Sequence, residues 1–205
     1  MNRVCVATSK ASAYYALVSR LKGAGLQFTS VLPGSDVQDC EVVLTTADEA
    51  KQFGEKALAL EDIDENPGIF KGQVLSRLDD VGIVLVGVDP GKRTGLAVFY
   101  GQTKLAFNTF DSLGEVCSSV GAFAKGIPAT RMLVRIGNGN RSTASGLVER
   151  LRKEVPRATI EVVDESGTSG GSTKMKGVQR DQVAAAKIAF RKGEDVSRGE
   201  TKTRG

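Results

Sequence analysis

The sequence predicts an α/β protein in two parts: a small α/β domain over residues 1–80, then a mixed five-stranded sheet with flanking helices over 81–193. Three observations predict it. Short apolar runs of strand length alternate with stretches whose apolar residues recur at helical spacing. The run Val-Gly-Ile-Val-Leu-Val-Gly-Val at 81–88 is nearly continuous, as in a central strand covered on both faces. Charge divides the chain at the same place: residues 1–80 hold 8 Lys and Arg against 12 Asp and Glu, while residues 81–205 hold 20 against 12.

In the first part, residues 3–8 read as a buried strand. Tyr15, Leu17, Val18 and Leu21 share a helical face within 12–26, which Gly23 and Gly25 stop. Residues 28–32 and 40–45 are the next strands. Thr46 caps a helix through Phe53, with Asp48 and Glu49 in its first turn, and 56–60 is a fourth strand. After the acidic stretch 61–65, Asn66 as N-cap and Pro67 at the first helical position open a linker helix over 67–78. No catalytic constellation stands out in this part.

In the second part, strands at 81–88, 95–100 and 104–110 form a meander turned at Gly101-Gln102. A helix over 112–125, a strand at 132–136, a helix over 142–155 and a strand at 159–163 follow. A Gly/Ser/Thr/Lys-rich loop spans 166–177, Asp181 starts a last helix that Gly193 stops, and 194–205 is expected to be a mobile tail.

Composition limits the chemistry. There is no His, so acid–base and metal chemistry fall to carboxylates. No run of 18 apolar residues marks a membrane helix, and the start lacks a signal-peptide core. The three Cys, at 5, 40 and 117, have no metal-ligand spacing and read as reduced thiols of a cytoplasmic protein. The basic second part suits an anionic partner such as nucleic acid. The sequence leaves the oligomeric state open, a homodimer included.

Three acidic positions fall where chain geometry can unite them. Asp89 ends the strand 81–88, Asp164 and Glu165 end the strand 159–163, and Asp181 opens the last helix. Strands one and five of this part can be near neighbours ending on the same edge, where functional groups of α/β sheets collect. Ala184, Ala185 and Ile188 share the face of Asp181, which directs its carboxylate at the sheet. Gly87, on the side of Asp89, leaves room for that helix. Clustered carboxylates call for a divalent cation, and oxygen ligands alone suit Mg²⁺ or Mn²⁺. The ordinary alternatives are a turn residue at Asp89, a solvated strand end at Asp164 and Glu165, and a cap at Asp181.

Gly87-Val88-Asp89-Pro90-Gly91-Lys92-Arg93-Thr94-Gly95-Leu96-Ala97 resembles the first-strand signature of RuvC-type Holliday-junction resolvases and the related YqgF-type proteins. Val162-Val163-Asp164-Glu165-Ser166 is similar to a late-strand motif of the YqgF branch, and Asp181-Gln182-Val183-Ala184-Ala185-Ala186 to the last-helix signature. The resemblance covers about 81–193 and implies a ribonuclease-H-like fold. It departs at the fourth strand, which ends Gly137-Asn138-Gly139-Asn140 without an acid, and at Ser166, where the family motif has Arg.

The resemblance implies two-metal phosphodiester hydrolysis of structured DNA or RNA. Asp89 would bridge two cations roughly 4 Å apart, with Asp181 and either Asp164 or Glu165 each holding one. Asn138 and Asn140 would contact phosphate or a metal-bound water, the alternative being a plain strand-to-helix connection. Lys92, Arg93, Arg135, Arg141, Lys174, Lys176 and Arg180 would grip backbone phosphates. Two other functions compete: a non-catalytic nucleic-acid-binding scaffold, and a nucleotide-binding phosphotransferase of the actin-like superfamily.

Overall fold

A computed structural model describes residues 3–32, 34–79, 82–164 and 177–197, the side chains of Gly177 and Val178 excepted. It divides into two compact units, Met1–Val81 with Gly126–Pro128, and Gly82–Lys125 with Ala129–Gly205. Both are α/β.

In the first unit β1 (Val4–Val6), β2 (Thr29–Ser30), β3 (Val42–Thr45) and β4 (Ala57–Ala59) form a parallel sheet in the order β2-β1-β3-β4. Helices α1 (Ala11–Gly23), α2 (Ala47–Ala50) and α3 (Pro67–Leu78) accompany it. Leu17 and Leu21 of α1 and Phe70 and Val74 of α3 join Val4, Val6, Val42 and Leu44 in one core. Asn66 caps α3 through its side-chain oxygen, which accepts from Gly68 N at 2.9 Å and Ile69 N at 3.3 Å. Gly126–Pro128 completes this unit because two glycines admit it: a Cβ on Gly72 would stand 2.7 Å from Ile127 Cγ1, and one on Gly126 would overlap Ile69.

The expectation of three reduced thiols is corrected. Cys5 and Cys40 form a disulfide with Cα atoms 5.8 Å apart. Adjacent parallel strands bring the two together: Cys5 pairs with Val43, and Cys40 leads into β3. Their spacing of 35 residues concealed this in sequence. Cys117 is free and buried, and burial pushes its thiol up in pKa.

The second unit holds β5 (Ile83–Pro90), β6 (Thr94–Tyr100), β7 (Thr103–Phe110), β8 (Arg131–Gly137), β9 (Thr159–Val163) and β10 (Glu194–Asp195), in the order β10-β9-β8-β5-β6-β7. β5 is central, as its apolar run implies. β6 and β10 run antiparallel to their neighbours. Helix α4 (Leu113–Gly126) buries Val116, Val120 and Phe123, and α5 (Arg141–Glu154) packs on β8 and β9. Helix α6 (Gly177–Ala189) lies across β5, β6, β7 and β8.

β8 stands between β5 and β9 and all three run parallel, so strands one and five of this part are near neighbours that end on the same edge. Two expectations fail here. Helix α6 begins at Gly177, so Asp181 lies in its second turn rather than at its start; the poor helix former Gly177 hid that turn in the sequence. Residues 194–197 of the expected tail are anchored, and 198–205 lie outside the described residues: β10 pairs with β9, Val196 N donates to Ile160 O at 2.7 Å, and Ser197 Oγ accepts from Ile160 N at 2.8 Å.

Candidate functional site

In the second unit, Asp89, Asn138 and Asp164 fall at the edge where β5, β8 and β9 end. A row of side-chain positions crosses the sheet there. Asp89 pairs with Gly95 across β5–β6, and Gly95 with Thr109 across β6–β7. Gly87 faces α6: a Cβ on it would overlap the Ala185 carbonyl oxygen and come 2.7 Å from Ala189 N. The two-residue period of a strand puts Asp89 on that same face. Phe107, two residues before Thr109, packs with Ala97, Ala185 and Ala189, which puts Thr109 on it too.

Asp181 occupies the middle of this row. A Cβ on Gly95 would overlap the Asp181 carbonyl oxygen, and would stand 2.8 Å from its carbonyl carbon and 3.4 Å from its Cβ. Opposed strand residues have Cβ atoms about 5 Å apart. Asp181 therefore rests over the Gly95 gap, with Asp89 on one side and Thr109 on the other. Its side chain is 20% exposed, with Oδ1 4.0 Å from Arg180 Nε. The Thr109 hydroxyl oxygen is buried and has no hydrogen-bond partner among the described residues. Sequence reasoning missed Thr109; its only signal was the strand alternation from Phe107.

A latch holds α6 in this position. Arg135 Nε donates to Glu161 Oε2 at 2.9 Å, and Arg135 Nη1 to the Ala189 carbonyl at 2.7 Å, at the C-terminal end of α6. Glu161 also accepts from Gly193 N at 3.1 Å. Arg135 and Glu161 are 14% and 12% exposed. The guanidinium thus neutralises a buried carboxylate and the negative end of the helix dipole. Arg135, expected to grip phosphate, has its Nε and Nη1 donors engaged within the fold.

The other expected residues divide. Lys92 and Arg141 are exposed on this edge, and the Arg180 side chain is 79% exposed. Arg93 Nε pairs with Asp111 Oδ1 at 3.2 Å, both solvent-accessible. Asn140 is the N-cap of α5, accepting from Thr143 N at 3.1 Å, so the plain strand-to-helix reading holds for its side chain. Asn138 is half-buried, and its backbone N donates to Val163 O at 3.0 Å. Asp164 is exposed, and its carbonyl accepts from Arg191 Nη1 at 2.8 Å. With β8 intervening, β9 lies two strand spacings from β5, roughly 10 Å. Asp89 and Asp181 lie on one face of the sheet, and Asp164 follows a strand two places from β5. Glu165, Lys174 and Lys176 lie outside the described residues. Among the described residues, no group of three or more His, Cys, Asp or Glu could hold a metal ion.

In the first unit the order β2-β1-β3-β4 places a topological switch point after β1 and β3, the place where open α/β sheets bind ligands. Glu49 fills it. Its carboxylate accepts from Thr8 Oγ1 at 2.5 Å, Ser9 Oγ at 2.6 Å, Ser9 N at 2.8 Å and Thr46 Oγ1 at 2.9 Å. The Ser9 hydroxyl foremost, then Thr8 and the Ser9 amide, hold its pKa down at about 2. The Glu49 carboxylate is thus held by residues that follow both strands.

Residues 3–68 match a family model described as a response regulator receiver-like domain. No curated protein matches the chain. Among solved structures, Marinitoga piezophila Argonaute in complex with 5′ OH guide RNA is similar over 78% of this chain and 39% of that chain, at 10% identity and a TM-score of 0.29. The same Argonaute with guide RNA and target DNA gives 12% identity and a TM-score of 0.32 over the same shares. The chain thus spans 39% of the length of those chains. None of these findings is to a resolvase-like family. Among the described residues, no helix is long and apolar enough to cross a membrane.

Proposed function

We propose that the second unit is a ribonuclease-H-like, divalent-cation-dependent phosphodiesterase acting on structured nucleic acid. The observation that carries this is the seating of the Asp181 backbone over Gly95, directly beside Asp89. The reading is supported by Asp89 and Asp181 falling on one sheet face near a strand end, with Lys92, Arg141 and Arg180 exposed. Further support comes from the order β7-β6-β5-β8-β9, a meander followed by two crossover strands in which β6 alone runs antiparallel.

The donor set fits a hard cation in kind: it offers oxygen and neither His nor thiolate. Mg²⁺ keeps several waters and is bound through one or two carboxylates plus substrate phosphate, so Asp89 and Asp181 suffice to hold one ion. Such an ion would supply neutralisation of phosphate charge and a lowered pKa for an attacking water. Lys92, Arg141 and Arg180 would hold the backbone phosphates, a contact without sequence preference. Arg135 and Glu161 keep α6, and with it Asp181, in place.

A second reading is a nucleic-acid-binding scaffold without catalysis. The absence of a three-acid group among the described residues favours it, as does β8 ending at Gly137 with no carboxylate beside Asp89. Mn²⁺ titration of the full chain against Asp89→Asn, followed by incubation with labelled four-way junctions, flaps, duplex DNA and RNA, separates the two. Binding lost in the variant together with cleavage of one substrate supports the enzyme; nucleic-acid binding without any cleavage supports the scaffold. We read the first unit as a receiver-like module without chemistry of its own, because the Glu49 carboxylate at its switch point is held by residues that follow both strands.

A further inference from the structure

We propose that Thr109 is a positioning residue of the Asp89–Asp181 site, its hydroxyl holding the Asp181 carboxylate in the orientation that binds a divalent cation. The inference rests on the cation-binding reading above. Buried hydroxyls almost always have a hydrogen-bond partner, because an unpaired one forfeits its hydration. The Thr109 Oγ1 atom is buried and has none among the described residues. The nearest acid in its row is Asp181, whose Cβ stands 3.4 Å from the Cβ position of Gly95, the cross-strand partner of Thr109.

The geometry gives Asp181 two sides. Asp89 lies beyond Gly95 on one and Thr109 on the other. A carboxylate has two oxygens, and in metal sites the oxygen that does not face the ion is ordinarily hydrogen-bonded to an outer donor. Thr109 is placed to be that donor, one oxygen of Asp181 serving the cation beside Asp89 and the other accepting from Thr109 Oγ1. Among the described residues the only cation paired with Asp181 is Arg180, at 4.0 Å on a side chain 79% exposed, too loosely held to fix a carboxylate orientation. Thr109 itself never touches the ion: it is separated from Asp89 by two strand spacings, roughly 10 Å.

The test is Mn²⁺ binding to the full chain, read by loss of the free-ion paramagnetic resonance signal, for wild type, Asp89→Asn, Thr109→Val, Thr109→Ser and Thr109→Ala, with the melting temperature of each ion-free protein. Thr109→Val is expected to bind Mn²⁺ on the order of tenfold more weakly, the loss typical of removing an outer-shell partner. Its ion-free melting temperature should not fall, since no hydrogen bond is lost. Thr109→Ser and Thr109→Ala lose the same methyl group and differ only in the hydroxyl, so the serine variant should bind more tightly than the alanine variant by the same factor. This comparison stands even where Thr109→Val perturbs the fold. Equal affinity of wild type, Thr109→Val and both smaller variants, with binding lost in Asp89→Asn, overturns the role of Thr109 and leaves the cation site standing. Wild-type affinity in Asp89→Asn overturns both.

Discussion

The backbone carbonyl of Asp181 lies directly over Gly95, and Gly95 is the cross-strand partner of Asp89. A helix and a strand whose contacting residues, Gly95 and Asp181, are far apart in sequence thus meet with no side chain between them. Gly87 makes the same contact further along, under Ala185 and Ala189. These two glycines set how close α6 comes to the sheet, and that distance decides whether two carboxylates share one site.

Gly95→Ala and Gly87→Ala should therefore damage fold and site together. Each added methyl would collide with helix backbone, which cannot swing aside as a side chain can. Overpacking of this kind costs about 1–3 kcal/mol. Chemical denaturation should show that loss, and both variants should lose Mn²⁺ affinity. Gly146→Ala is the control: it lies within α5, and its new Cβ would meet only Leu113 Cδ1 at 3.9 Å. Relief of the helix-interior glycine should stabilise the protein by roughly 0.5–1 kcal/mol.

The latch gives a second expectation. Arg135→Ala leaves Glu161 buried at 12% side-chain exposure without its partner and uncaps the Ala189 carbonyl. Breaking one side of a buried pair costs about 3–5 kcal/mol. The double change Arg135→Met with Glu161→Met should recover much of that, since an apolar pair of similar volume needs no compensation. Urea denaturation of the three variants reads the difference. A phosphate-gripping Arg135 would instead leave stability unchanged.

Glu49 predicts an acid limb. Its folded pKa is lowered to about 2 from 4.5, so the charged form is favoured by folding. That contribution is complete above about pH 4.5 and is lost as pH falls towards 2. Glu49→Gln should lower stability at pH 7 by about 1–2 kcal/mol through weakened bonds to Thr8, Ser9 and Thr46. It should also flatten the stability-against-pH curve between pH 4.5 and 2. Equal slopes for wild type and variant over that window would show that the Glu49 cluster contributes nothing.

Much of this was legible in sequence because periodicity and caps are local. The apolar run at 81–88 announced β5, and Asn66-Pro67 announced α3. The alanines following Asp181 announced a close-packing helix face. What stayed hidden is non-local. The insertion of β8 between β5 and β9 is a choice of topology that no spacing encodes. The Cys5–Cys40 disulfide depends on β1 pairing with β3. Arg135 looked like one more basic residue on a basic edge; only the register of β8 with β9 reveals that it faces Glu161. Thr109 carried no motif, and its meaning arises from what lies across two strands.

The cationic edge makes a prediction that separates backbone gripping from base reading. Lys92, Arg141 and Arg180 are exposed, while Arg135 is turned inward. If the three grip phosphates, each neutralisation removes about one released counterion. Binding of the full chain to a duplex should be measured at several salt concentrations. Changing all three residues to Gln should flatten the slope of log affinity against log salt by roughly 2–3. The loss should be similar for unrelated sequences, because phosphate contacts carry no sequence information. An unchanged salt slope would place the nucleic-acid surface elsewhere on the chain, and would leave the Asp89–Asp181 pair without the charged surround that a phosphodiester substrate needs.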